Sequence, residues 1–242
     1  MKSLNAHLAE AVAHYWRTRE GQAVQQTKAG RADQGARSAV TGGAQMNGFI
    51  KLISGLIVET GVSEKNIFHN RAVELPGFFR PTKEWDLLVV KDGQLILALE
   101  AKSQVGPSFG NNFNNRTEEA MGSAVDVWTA YREGAFNKTV RPWLGYLFLL
   151  EDCNKSQSPV KVQEPHFKVF PEFVNASYAR RYELFCRKIV RERHYNAAAF
   201  LLSEKEKGLK GGHTEPADDL TFELFAKSLV SHVAVYGAQE KK

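Results

Sequence analysis

Trp85-Asp86-Leu87-Leu88-Val89-Val90-Lys91-Asp92-Gly93-Gln94-Leu95-Ile96-Leu97-Ala98-Leu99-Glu100-Ala101-Lys102 is the stretch that decides the fold. Two apolar runs, 87–90 and 95–99, flank Lys91-Asp92-Gly93-Gln94. Asp-Gly between β-formers is a strong hairpin signal, because both residues tolerate positive φ. The runs are continuous rather than alternating, so each strand is expected to be buried on both faces. That places the hairpin in the middle of a sheet covered by helices, an α/β fold with a mixed central sheet.

Both apolar runs end in charge, at Asp86 on one side and at Glu100-Ala101-Lys102 on the other. Burying such groups is costly unless they are paired or bind a metal. In a strand Glu100 and Lys102 share a face, and the small Ala101 points the other way. Register decides whether Asp86 joins them. A two-residue turn at Asp92-Gly93 pairs Asp86 with Leu99 and sets the acids on opposite faces. A three-residue loop, Lys91-Asp92-Gly93 with Gly93 left-handed, pairs Asp86 with Ala98 and puts the acids on one face as diagonal neighbours. The sequence permits both registers, and the second is the expected one.

Two carboxylates and a lysine converging on one point suit phosphodiester hydrolysis. Asp86 and Glu100 can hold Mg²⁺, which prefers oxygen ligands and keeps several waters. The backbone carbonyl of Ala101 is a further candidate ligand. Lys102 can orient or deprotonate the attacking water and offset charge in the transition state. A bare acid-x-Lys is weak evidence, since it recurs at Glu240 in the terminal tail. Here it is preceded by an acid, two apolar strands and a turn, which leaves a surface salt bridge at a sheet edge as the competing reading.

Outward from this hairpin, 143–150 is a third apolar strand, and 66–73 contains a short strand. Helical spacing of apolar residues predicts helices over 1–20, 46–60, 117–134, 177–193 and 218–236. The helix at 177–193 is basic, with six Arg or Lys against two Glu. The segments 103–116 and 203–217 read as loops, and 21–45 reads as a loop or mobile arm with Lys28, Arg31 and Arg37. No internal repeat and no linker between two cores is visible, so 1–242 is read as a single domain.

The 242 residues carry 32 Lys and Arg against 27 Asp and Glu, a formal +5. The balance is compatible with nucleic acid without demanding it. A chain of this length buries roughly 70–75% of its unfolded surface and needs no staples. Two cysteines exclude a disulfide framework and suit a reducing cytoplasm. No apolar stretch reaches the length of a membrane span, and 1–7 lacks the apolar core of a signal peptide. There is no paired-histidine zinc spacing, no phosphate-binding G-x-x-x-x-G-K-[S/T] and no G-x-S-x-G elbow.

Asp86…Glu100-Ala101-Lys102 resembles the PD-(D/E)xK nucleases. The wider stretches, 75–86 (LPGFFRPTKEWD) and 100–116 (EAKSQVGPSFGNNFNNR), resemble the XhoI-type type II restriction endonucleases, and the order of elements extends the likeness over most of the chain. One departure is Trp85, where the nominal motif has proline. The resemblance implies a restriction-endonuclease-like fold and a Mg²⁺-dependent homodimer of class EC 3.1.21.4. Such a dimer cuts double-stranded DNA at CTCGAG, leaves 5′ extensions, and has a cognate methyltransferase in its host. It also makes Glu59 a candidate outer metal ligand. Candidate DNA contacts are Arg80, Lys83, Gln104, Ser108, Asn111, Asn112, Asn114, Asn115 and Arg116, since Asn and Arg can read base edges. The rival expectations are a structure-selective nuclease of the same fold and a catalytically silent DNA-binding protein.

Overall fold

The computed structural model describes residues 3–28, 43–137 and 140–237. A five-stranded mixed sheet has the order β1-β4-β5-β6-β7. Its strands are β1 (Ile67–Phe68), β4 (Leu87–Lys91), β5 (Gln94–Gln104), β6 (Trp143–Glu151) and β7 (Ala197–Ser203). β1, β4 and β5 pair antiparallel, while β5, β6 and β7 run parallel. A separate small hairpin joins β2 (Glu74–Pro76) to β3 (Thr82–Glu84).

Five long helices cover the sheet: α1 (Leu4–Lys28), α2 (Asn47–Glu59), α3 (Phe109–Arg132), α4 (Tyr178–Arg191) and α5 (Phe222–Gly237). One face packs Leu87, Val89, Leu97, Leu99 and Ala101 against α1, α2 and α5. The other packs Leu88, Leu95, Ala98, Tyr146 and Phe200 against α3 and α4. Helix α2 turns Phe49, Ile50, Ile53 and Ile57 inward at three- and four-residue spacing. Helix α4 opens on Ser177, whose side chain accepts the Arg180 N–H, and buries Tyr182, Phe185, Cys186 and Ile189. Among the described residues no helix is long and apolar enough to cross a membrane.

The central hairpin takes neither of the two registers weighed above. Asp92 and Gly93 both have positive φ, at 51° and 73°, and Lys91 pairs with Gln94, which makes a two-residue turn. Val90 then pairs with Leu95 but Val89 pairs with Leu97, so Ile96 is a bulge. The Ile96 carbonyl accepts a hydrogen bond from the His232 ring of α5 at 3.1 Å. Burial of that ring lowers its pKa, against the opposing pull of this hydrogen bond. Beyond the bulge Leu87 pairs with Leu99, and the same register carried one residue further sets Asp86 directly across from Glu100. The two acids share a face, as expected, by a different route.

Three boundaries differ from the sequence reading. Helix α1 continues to Lys28 and takes in the first part of the arm expected at 21–45, and 29–42 lies outside the described residues. Helix α3 starts at Phe109 and absorbs the expected Asn-rich loop. Phe109 and Phe113, four apart, lie against Tyr178 and Tyr182 of α4 with ring centroids at 5.7 and 5.0 Å, and this packing outweighs the turn preference of Gly and Asn. Strand β7 was not anticipated, because a short apolar run such as Ala-Ala-Ala-Phe-Leu-Leu has no period of its own.

Candidate active site

Strand β5 carries Glu100 and Lys102 on the α3/α4 side of the sheet, and Asp86 stands opposite at the mouth of β4. One oxygen of Asp86, Oδ2, accepts the Ala101 N–H at 2.8 Å and an N–H of the Lys102 ammonium at 2.9 Å. The Glu100 side chain is only 2% exposed, whereas Asp86 is 32% exposed. Glu100 Oε1 accepts from Lys83 Nζ at 2.5 Å and lies 3.8 Å from Lys102 Nζ. Glu100 Oε2 accepts from the Tyr195 hydroxyl at 2.8 Å.

A carboxylate this deeply buried is tolerable only because every side of it meets a donor. Lys102 shows the same balance from the other partner. Burial disfavours its charge, but the facing carboxylates of Glu100 and Asp86 outweigh that, and its pKa is held above the ordinary lysine range. Lys102 is therefore an ammonium lodged between two acids.

The donor set fits a hard divalent cation. Two carboxylates face one another across paired strands, and ammonium groups already rest on both. The Leu99 carbonyl and the Ala101 N–H both point towards Asp86. A strand residue directs its N–H and C=O to the same side, so the Ala101 carbonyl opens on the edge beyond β4. Among the described residues no group of three His, Cys, Asp or Glu gathers as a protein-only metal cage. Mg²⁺, which is commonly held by one or two carboxylates and water, needs none.

The other expected site residues fall into three groups. Glu59 is exposed at the end of α2, and α2 packs on the sheet face opposite Glu100, so the structure does not bring it to the cluster. Gln104 and Lys83 are engaged within the protein, and Arg80 is held through Nε while its side chain stays 44% exposed. Gln104 is buried, donates to the Phe109 carbonyl at 3.1 Å and accepts from the Tyr182 hydroxyl, so it seats the start of α3. Lys83 sits on Glu100, donates to the Glu84 carbonyl and lies 4.5 Å above the Trp85 ring. Arg80 binds Asp126 at 2.6 Å.

The third group lies together at the beginning of α3. Ser108 precedes the helix, exposed and without a side-chain cap bond. Asn111, Asn114 and Asn115 are exposed, and Asn112 and Arg116 half-buried, on its first two turns. Arg116 pairs with Glu119 at 2.6 Å and is near enough to Lys102 to oppose its protonation. These residues form a helix surface where the sequence reading expected a loop. Sequence reasoning missed Tyr195 altogether. It lies 95 positions from Glu100 and reaches it only because β5, β6 and β7 run side by side.

Comparison with known proteins gives the chain its family. The family described as restriction endonuclease XhoI matches residues 25–215. The type II restriction enzyme BstVI of Geobacillus stearothermophilus is 56% identical over 211 residues, covering 85% of this chain and 94% of that protein. The type II restriction enzyme XhoI of Xanthomonas vasicola is 49% identical over 162 residues, 66% of this chain and 65% of that protein. The type II restriction enzyme AbrI of Azospirillum brasilense is 50% identical over 160 residues, 66% of this chain and 72% of that protein. No solved structure matches the chain. With a matched region that takes in both strands of the central hairpin and all of Asp86, Glu100 and Lys102, this chain belongs to the XhoI restriction endonuclease family.

Proposed function

We propose that this enzyme hydrolyses both strands of double-stranded DNA at a palindromic site, CTCGAG, in a Mg²⁺-dependent reaction that leaves 5′ extensions. The enzyme class, a type II restriction endonuclease, comes with the family. The observation that carries the mechanism is the pairing of Asp86 with Glu100 across the hairpin, with the Lys102 ammonium between them.

Asp86, Glu100 and the Ala101 carbonyl are the groups that would hold the metal. When bound, Mg²⁺ polarises a phosphate oxygen and lowers the pKa of a bound water. The chain's own residues do the rest. Lys102, on the same strand face as Glu100, brings a positive charge and N–H donors to the place where negative charge builds on the phosphorus oxygens. Glu100, fixed by two partners, loses little freedom when the site assembles. The exposed Asn side chains at the start of α3 present amide groups that match adenine edges, and Arg116 presents a guanidinium that matches guanine.

A palindrome read by identical surfaces calls for a two-fold homodimer, each subunit cutting one strand. A cytoplasmic setting fits the two free cysteines, and a host methyltransferase of the same specificity protects the genome. Digestion of a plasmid of known sequence in Mg²⁺ tests the reading, with Lys102→Ala and a chelator as controls. Discrete fragments ending at CTCGAG, absent from both controls, are expected. Fragments ending at another sequence overturn the site alone. A smear, or cutting confined to branched DNA, overturns sequence-specific cleavage.

A further inference from the structure

We propose that Tyr195 is a positioning residue for hydrolysis, which holds one oxygen of Glu100 so that the other faces the reaction and ties that carboxylate to helix α3. The proposal rests on the nuclease reading above. Tyr195 is 1% exposed and lies just before β7. Its hydroxyl is 2.8 Å from Glu100 Oε2 and 3.0 Å from the Ala120 carbonyl of α3. Glu100 is a flexible side chain whose two oxygens are chemically equivalent. A buried phenol on Oε2 removes that equivalence and turns Oε1 towards Lys83 and Lys102. The second contact matters as much. Ala120 lies one helical turn beyond Arg116, on the helix whose first turns carry Asn111, Asn114 and Asn115. The hydroxyl has one proton for two acceptors, so a shift of the Ala120 carbonyl on meeting DNA changes how that proton is shared with Glu100.

The structure supplies its own control. Tyr146 is equally buried, with its ring centroid 5.3 Å from that of Tyr195. Its hydroxyl has no hydrogen-bond partner among the described residues. Tyr146 stands directly across from Glu100 in the β5–β6 register, and removing its hydroxyl disturbs the same aromatic cluster without taking a hydrogen bond from Glu100. A structural role alone moves the melting temperature and leaves Mn²⁺ binding and the Mg²⁺ dependence of the rate unchanged, whereas a positioning role moves both.

The experiment compares the wild-type chain with Tyr195→Phe, Tyr146→Phe and a chain carrying 3-fluorotyrosine at 195, which keeps a hydroxyl. Single-turnover cleavage of a duplex containing the mapped site is followed against Mg²⁺ concentration. Mn²⁺ binding to the protein–duplex complex is followed by electron paramagnetic resonance, duplex affinity is measured in chelator, and melting temperature is recorded. Tyr195→Phe is expected to lower the rate roughly 10- to 100-fold and to weaken Mn²⁺ binding, as loss of a partner behind a metal ligand does. Its duplex affinity in chelator stays at the wild-type value. Tyr146→Phe and the fluorotyrosine chain are expected to cleave like wild type. Equal rates for Tyr195→Phe and wild type at every Mg²⁺ concentration would overturn the proposal. So would equal losses in the two Phe variants, or a fluorotyrosine chain as slow as Tyr195→Phe. A wild-type chain that cleaves no duplex at all removes the nuclease reading itself, which these variant outcomes leave standing.

Discussion

Asp126 and Glu100 are both carboxylates with almost no exposure, 4% and 2%, and both fasten the β2–β3 hairpin, one at its tip and the other at its root. They hold it by different means. Asp126 accepts the backbone N–H groups of Phe78 and Phe79 at 2.6 and 2.8 Å, and Arg80 Nε at 2.6 Å. Burial opposes its charge, but the Phe79 N–H, Arg80 and Phe78 N–H together hold its pKa below the ordinary carboxylate range. Glu100 is held by the long side chain of Lys83, by Lys102 and by one phenol. Backbone donors cannot swing away without unfolding the turn, whereas a lysine can. Burial of a carboxylate therefore does not by itself mark a site. What separates the two is whether the partners can be exchanged for a ligand.

The comparison breaks most sharply on activity. Lys102→Ala is expected to reduce cleavage roughly 100- to 1,000-fold per folded molecule at saturating Mg²⁺, while Asp126→Ala cleaves normally per folded molecule. An Asp126 variant that folds as well as wild type and does not cut would erase the distinction. On stability the order reverses. Urea unfolding is expected to show Asp126→Ala less stable by about 2–4 kcal/mol, because two backbone N–H groups and the Arg80 guanidinium lose their common acceptor.

Acid unfolding sharpens the same point. The Asp126 carboxyl titrates lower in the folded chain than in the unfolded one. Its stabilisation is complete above the ordinary carboxylate range, near about pH 4, and is lost as pH falls through the folded value. Asp126→Asn is expected to flatten that acid limb, followed by circular dichroism, and to leave the curve above pH 6 parallel to wild type. Gly77→Ala is a smaller blow at the same tip. A Cβ there meets the Asp126 carboxylate and approaches the Arg80 carbonyl to 2.7 Å, which is expected to cost about 1–3 kcal/mol in urea.

The gentlest test addresses exchangeability. Lys83→Met removes one ammonium from Glu100 but leaves Tyr195 and Lys102 in place. A loss of about 1–2 kcal/mol is expected in chelator, and Mg²⁺ is expected to recover most of it by binding the folded form. A loss indifferent to Mg²⁺ would make Lys83 a structural partner, as fixed as those of Asp126.

The sequence was most legible where chemistry and local pattern coincide. Asp86, Glu100 and Lys102 stand at the ends of apolar runs, and a charge there has few structural excuses. Their common face was also foreseeable, although the bulge at Ile96 was not, since a bulge leaves no trace in hydrophobic pattern when the residues on both sides are apolar. Helix α3 was obscured because Gly and Asn favour turns until Phe109 and Phe113 find Tyr178 and Tyr182. Tyr195 and Asp126 had no local signal at all. Their roles come from partners 95 and 46–48 positions away, and only the assembled sheet brings those together.

The bulge at Ile96 also makes the hairpin asymmetric towards changes in length. It is a residue of slack stored between the turn and Glu100. A deletion of one residue anywhere in that interval can be absorbed by flattening the bulge, and Asp86 and Glu100 stay face to face. An insertion of one residue has no such reserve and turns Glu100 and Lys102 to the far side of the sheet unless a second bulge forms. Shortening of this hairpin by one residue is thus expected to spare cleavage and lengthening by one to abolish it, even though neither change touches a residue that does chemistry.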